Sequence, residues 1–197
     1  MESLSATLEP VSEPLTEVAP LPSMDSERLY EVVNGRIVEK PEMGAYQAWF
    51  ATELFRLIIE SKVRLEGRFA AELLFLLDSN TGLKRRPDLA FVSYDRWPRK
   101  RPIPDDAAWD VVPDLAIEVI SPSNLAVDVL VKVGEYFRAG VRRVWVIYPR
   151  DEQIYVYESP TQVRILTRAD RLVDEATLPG LSLQLADLFE TEEEASK

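Results

Sequence analysis

The chain has 197 residues, a formal net charge of −11, and neither cysteine nor histidine. That inventory excludes disulfides, thiol nucleophiles, soft zinc sites and every Ser-His or Cys-His arrangement, leaving carboxylates, Lys, Tyr, Ser, Arg or a hard oxygen-bound cation for any catalysis. The acidity is concentrated in the two tails and the body, 28–189, is close to neutral, so total charge gives no argument for a nucleic-acid partner and none against one.

Residues 1–27, with Pro10, Pro14, Pro20 and Pro22 among Glu, Ser and Ala, predict a disordered acidic tail. This start is not basic and has no continuous apolar stretch, so it does not read as a signal peptide. Nothing approaches the run of about 18 apolar residues that spans a bilayer, and the expectation is a cytoplasmic protein with no membrane association. "RLYEVVNGRIVEK" (28–40) predicts a hairpin, with Asn34-Gly35 as a type I′ turn between two runs rich in β-branched residues. A helix is predicted from about Ala45 to Leu65, because Trp49, Phe50, Leu54, Leu57 and Ile58 recur at helical spacing.

"RFAAELLFLL" (68–77) and "PDLAFVSY" (87–94) read as strands joined by a turn at "DSNTG" (78–82). "DLAIEVI" (114–120) is a further strand, continuous enough in apolar character to lie mid-sheet. "SPSNLAVDVLVKVGEYFRAG" (121–140) predicts a helix capped by Ser121, with Pro122 in its first turn and Gly140 as the left-handed residue at its end. Strands follow at 141–148, 153–159 and 163–167, before "LPGLSLQLADLF" (178–189) closes the body and an acidic tail covers 190–197. Helices alternating with strands predict one α/β or α+β domain over 28–189, a mixed sheet flanked by helices with an N-terminal hairpin. The long connection from strand 114–120 to strand 141–148 predicts a crossover, with those two strands parallel.

The tetrapeptide Pro-Asp-Leu-Ala occurs twice, at 87–90 and 113–116, and each copy opens an apolar run that a sheet would bury. Alternation puts Asp114, Ala116, Glu118 and Ile120 on one face, with Asp114 and Glu118 roughly 13 Å apart. They cannot grip one ion together, so Glu118 needs a partner from another strand, and Asp88 is the candidate. Two carboxylates brought together in a sheet repel unless a proton or cation compensates them, and a divalent cation is the simplest solution. Asp114, after a proline at a strand start, reads instead as a turn-capping residue. Glu72 stands just before the run Leu73–Leu77 and could join the same site from a neighbouring strand.

Lys132 borders the apolar stripe Leu125/Val129/Val133/Tyr136 at about 100° per residue, so it should lean toward the sheet, with Asp128 one turn earlier as a pairing partner. Asp88, Glu118 and Lys132 together point to a phosphodiester-hydrolysis site. Two basic clusters, "KRRPD" (84–88) and "RWPRKR" (96–101), supply Lys84, Arg85, Arg86, Arg96, Arg99, Lys100 and Arg101 as candidate phosphate contacts, and Trp97 as a candidate for stacking on a base. A charge run solvated on a loop is the plainer reading of both.

The stretches "YEVVNGRIVE" (30–39), "RRPDLAFVS" (85–93), "PDLAIEVISPSN" (113–124), Asp128-x-x-x-Lys132, "YFRAGVRRVWVIYP" (136–149) and "LPGLSLQLADLF" (178–189) resemble the Uma-two family, restriction-endonuclease-like proteins of the PD-(D/E)XK nuclease superfamily. The resemblance implies a restriction-endonuclease-like core, with Asp88 as the motif aspartate and Glu118 as the second acid. The superfamily's usual lysine position, two residues after that acid, holds Ile120 here, and the resemblance moves the lysine to the following helix, at Lys132. It also places Gln47 where relatives carry a histidine.

The expectation is therefore a Mg²⁺- or Mn²⁺-dependent endonuclease acting on DNA, with Asp88, Glu118 and Glu72 around the metal and Lys132 beside the attacking water. A homodimer would suit cleavage of two strands. The rivals are a non-catalytic module of the same fold that binds nucleic acid or protein, and a Ser-Lys hydrolase using Ser121 or Ser123 with Lys132.

Overall fold

The structure, a computed structural model, describes residues 28–41, 43–61, 63–122 and 124–190. The acidic tail expected over 1–27, nearly all of the one over 190–197, and Ser123 lie outside the described residues. Strands β1 (Tyr30–Val33) and β2 (Arg36–Glu39) form the expected hairpin. Asn34 and Gly35 both take positive φ, 51° and 71°, as a type I′ turn requires.

Helix α1 (Ala45–Glu60) buries Phe50, Ala51, Leu54 and Ile58 on one face. It stops short of the predicted Leu65, because the Ser61 hydroxyl donates to Ile58 O (2.7 Å) and closes the last turn. The stretch expected to be one strand over 68–77 is two: β3 (Gly67–Ala71) and β4 (Phe75–Asp78). They separate at Glu72, whose φ of 46° turns the chain out of one sheet and into another. The turn at 78–82 therefore leads not to the 87–94 strand but to β5 (Leu83–Arg85), so that the first basic cluster begins inside a strand. β6 (Leu89–Ser93) and β7 (Leu115–Val119) follow.

Helix α2 (Ala126–Ala139) starts five residues later than Ser121, with Leu125 rather than Ser121 at its N-cap. Leu125 is thus exposed, and the buried stripe begins at Val129 and continues through Val133 and Tyr136. At its other end Gly140, at φ 97°, takes the expected left-handed cap, with the N–H groups of Gly140 and Val141 donating to Phe137 O and Tyr136 O. β8 (Arg143–Tyr148), β9 (Gln153–Ser159), β10 (Gln162–Thr167), β11 (Arg171–Val173), β12 (Ser182–Gln184) and the short α3 (Leu185–Phe189) complete the chain.

Six strands form the main sheet in the order β10-β9-β8-β7-β6-β3, and four form a smaller one, β2-β1-β5-β4. β7 and β8 are parallel, connected through α2 as expected, and every other pair of named strands is antiparallel. The odd-numbered side chains Leu89, Phe91, Leu115, Ile117 and Val119 pack with α1 and α3. The even-numbered Ala90, Val92 and Ala116 face α2 and the small sheet, in a second core with Phe75, Trp97, Trp109 and Tyr136. Mixed sheets flanked by helices are the α+β architecture the sequence predicts. Among the described residues no helix is long and apolar enough to cross a membrane.

Candidate functional site

Strand register builds the site. β6 and β7 pair Leu89 with Ile117 and Phe91 with Leu115, so extending the ladder by one residue sets Asp88 opposite Glu118. β3 and β6 pair Ala71 with Leu89, and one step further Glu72 meets Asp88, with the Glu72 N–H donating to Asp88 O at 3.1 Å. Three acids, Glu72, Asp88 and Glu118, thus lie in a row across three adjacent strands, where neighbours are about 5 Å apart. The row sits at the edge of the face that α2 covers.

Such a row is costly in a sheet unless each charge is met. Asp88 accepts from the Val119 N–H through Oδ2 (2.6 Å) and from the Lys40 ammonium through Oδ1 (2.7 Å). Lys40 also lies 3.7 Å from Glu72 Oε1, an atom that is buried and has no hydrogen-bond partner among the described residues. Glu118 accepts the Tyr136 hydroxyl through Oε1 (2.6 Å) and lies 3.4 Å from Lys132 Nζ through Oε2. Lys132 also pairs with Glu31 Oε1 at 3.3 Å. Glu31 in turn binds Arg85 (2.6 Å), and Arg85 Nε donates to Glu135 at 2.7 Å. Lys132 therefore leans toward the sheet as its helical position predicts, and its ion pairs run to Glu31 and Glu118 rather than to Asp128.

The electrostatics follow from this geometry. Burial pushes the Glu118 carboxyl above its usual pKa, Asp88 adds to the push, and Lys132 opposes it. Burial works against the Lys132 ammonium, but Glu118 and Glu31 outweigh it and hold its pKa above the usual lysine value. Glu31 moves the other way: despite burial, Lys132, Arg85 and the Arg86 N–H keep its carboxyl below the ordinary range. The Tyr136 hydroxyl is held well above a normal phenol by burial and by Glu118, so it stays protonated and donates.

Asp88, Glu118, Lys40 and Lys132 all open onto one cavity of ≈ 350 Å³ at the N-terminal end of α2, shared with Gln47 and Ser121. The Ser121 hydroxyl donates to Asn124 Oδ1 at 3.0 Å. No cluster of three or more acids close enough to hold a metal ion occurs among the described residues. The two carboxylates that line the cavity, Asp88 and Glu118, nevertheless suit a hard divalent ion in kind, with the remaining positions left to the waters and phosphate oxygens that Mg²⁺ usually keeps.

The other acid of the duplicated tetrapeptide has a different duty. Asp114 accepts from the Ser93 N–H (2.8 Å) and from Arg96 (2.8 Å), with Arg142 at 3.3 Å. It ties three segments together at the far end of β7, in keeping with its reading as a capping residue.

The basic clusters divide. Arg85 is buried between Glu31 and Glu135, so as placed it is a bridge within the protein and not a phosphate contact. Arg86 is half-buried, donates to Tyr30 O (3.3 Å) and to Glu72 O, and lies over the Tyr30 ring. Arg96 is taken up by Asp114, Val112 O and Gly140 O. Trp97 is 5% exposed and packs edge-on to Trp109, which removes it as a platform for a base. Lys84 is partly exposed in β5, while Arg99, Lys100 and Arg101 are exposed. These last three follow β6 at the end opposite Asp88, a strand length of roughly 17 Å away.

Sequence reasoning missed Lys40, Glu31, Glu135 and Tyr136 as members of the site. Lys40 follows the hairpin as an ordinary charged residue, and only the fold brings it beside Asp88. Tyr136 carried a signal in hindsight: it lies on the same helix, one turn after Lys132.

A family model described as "Putative restriction endonuclease", Uma2, matches residues 15–186. Among solved structures the chain is similar to one from Anabaena variabilis described as a putative nuclease belonging to DUF820, with 21% sequence identity and a TM-score of 0.69. That likeness covers 81% of this chain and 89% of the other. No curated protein matches the chain.

Proposed function

Since the chain belongs to the Uma2 family, we propose that it is a divalent-metal-dependent endonuclease that hydrolyses DNA phosphodiester bonds at the cavity beneath α2. The observation that carries this reading is that Asp88, one residue beyond the β6–β7 ladder, stands opposite Glu118, with the Lys132 ammonium 3.4 Å from Glu118. Mg²⁺ or Mn²⁺ held by Asp88, Glu118 and a main-chain carbonyl beside Glu118 would supply Lewis-acid polarisation of the scissile phosphate.

The chain's own groups do the rest. Lys132, kept protonated by Glu118 and Glu31, acts as a charged donor that orients the attacking water and faces the charge growing on the phosphate. It is not a base. Tyr136 fixes one oxygen of Glu118, so that the other is turned toward Lys132 and the cavity. The water oxygen attacks phosphorus as the bond from phosphorus to the leaving sugar oxygen breaks, the water's proton passing to solvent and the leaving oxygen taking one up from solvent. Arg99, Lys100 and Arg101 track the backbone further along the duplex.

The test is incubation of the purified protein with supercoiled plasmid and with single-stranded DNA, in Mg²⁺, in Mn²⁺ and in chelator, beside Glu118→Ala and Lys132→Ala. Metal-dependent cleavage lost in both variants is the expected result. Cleavage retained by a clean preparation of Glu118→Ala would remove that residue from the mechanism, and cleavage that persists in chelator would overturn the metal reading.

A further inference from the structure

Lys40 has no part in the hydrolysis just described, yet it is among the most deeply placed cations of the site. Its side chain is 8% exposed, and that of Asp88 is 6% exposed. Both oxygens of Asp88 are engaged: Oδ2 by a main-chain N–H fixed in the sheet, Oδ1 by the Lys40 ammonium at 2.7 Å. A divalent ion at Asp88 would meet that ammonium within a few ångströms in a poorly solvated cavity, where like charges repel strongly. The main-chain donor cannot leave. The lysine can, because its head is a compact charge on a flexible stem.

A second observation says where it would go. Glu72 Oε1 is buried, lacks a hydrogen-bond partner among the described residues, and lies 3.7 Å from the same ammonium. This is too long for a hydrogen bond and close enough to become one after a small rotation of the lysine tail. Glu72 is held there by a positive-φ backbone, and its N–H is tied to Asp88 O, so the receiving carboxylate stays in place while the lysine moves.

We propose that Lys40 is a built-in cation of the acid row, which neutralises Asp88 until a divalent ion binds and then transfers its ammonium to Glu72. The proposal rests on the metal reading above and gives Glu72 the role of a receiver for lysine instead of a ligand. Loading of metal is then an exchange of cations.

The test is calorimetric titration of Mn²⁺ into DNA-free protein at one pH, for the wild type, Lys40→Gln, Lys40→Met, Glu72→Gln, the Lys40→Gln/Glu72→Gln double variant and Glu118→Gln. Lys40→Gln keeps a hydrogen-bond donor for Asp88, so a folded variant remains even if Lys40→Met unfolds. Removal of the competitor should tighten Mn²⁺ binding by about tenfold or more, and Glu72→Gln should weaken it by leaving the lysine on Asp88. In the Lys40→Gln background, Glu72→Gln should then have no effect.

Equal affinity for the wild type and Lys40→Gln overturns the exchange and leaves the metal reading standing. An equal loss from Glu72→Gln in both backgrounds makes Glu72 a ligand and overturns the transfer. Absence of Mn²⁺ binding throughout, or binding indifferent to Glu118→Gln, removes the metal site and the exchange with it.

Discussion

Tyr136 donates its hydroxyl to Glu118 Oε1 at 2.6 Å from one helical turn beyond Lys132, so a single face of α2 grips both oxygens of the same carboxylate. Tyr136→Phe deletes that donor while keeping the ring in the core. It should cost about 1–3 kcal/mol of stability, measured by urea unfolding, because the Glu118 oxygen is left buried without its partner. If the hydroxyl also sets the carboxylate's orientation, kcat should fall roughly tenfold with little change in KM for DNA. An unchanged kcat would reduce Tyr136 to packing.

Glu31 provides a pH test away from the proposed metal ligands. Its folded pKa lies below the usual 4.5, so between the two values the unfolded chain binds more protons than the native one. Stability from this group is therefore fully present above pH 4.5 and is lost as pH falls through the lower, folded value. Glu31→Gln should flatten the acid limb of a plot of thermal midpoint against pH, and lower the midpoint at neutral pH by leaving Arg85 and Lys132 short of a partner. Parallel curves for wild type and variant would show that the pairing does not drive the dependence.

Asp114 should matter for folding and not for chemistry. Asp114→Ala leaves the half-buried Arg96 and the Ser93 N–H without this acceptor, and should destabilise by about 1.5–3 kcal/mol. Mn²⁺ affinity of the folded fraction should be that of the wild type. A large change in metal affinity without a change in stability would reverse the roles assigned to the two tetrapeptide aspartates.

Arg99, Lys100 and Arg101 are exposed and distant from Asp88, so replacing all three with alanine should leave metal binding intact. If each neutralises a phosphate, duplex affinity should fall and the slope of log affinity against log salt should flatten by about 0.9 for every phosphate left without its cation. An unaltered slope would return the loop to an ordinary solvated charge run.

The acid row was legible in part. Strand alternation excluded Asp114 as a partner for Glu118 and directed attention to Asp88, and the helical period brought Lys132 toward the sheet. The third acid, Glu72, could be named but not placed, because register is a property of strand pairs and no single stretch contains it. The break at Glu72 was hidden for a related reason: "RFAAELLFLL" is apolar enough to be one strand, and the turn depends on which sheet each half joins. The burial of Arg85 and Trp97 is not legible in the sequence, because a basic or aromatic residue in a short cluster looks the same whether it faces water or a core. Only the buried partners Glu31, Glu135 and Trp109 distinguish them.

The turn at Glu72 divides the site's charges between two sheets. Asp88 and Glu118 belong to the large sheet, Glu31 and Arg85 to the small one, and Lys40 emerges from the small sheet's hairpin to meet Asp88. Either sheet alone holds an incomplete set of charges. A chain caught midway through folding would present bare acids that repel one another and no ordered pocket for a phosphate. The ion pairs that hold the acid row together are therefore complete only once both sheets have formed on either side of the corner at Glu72.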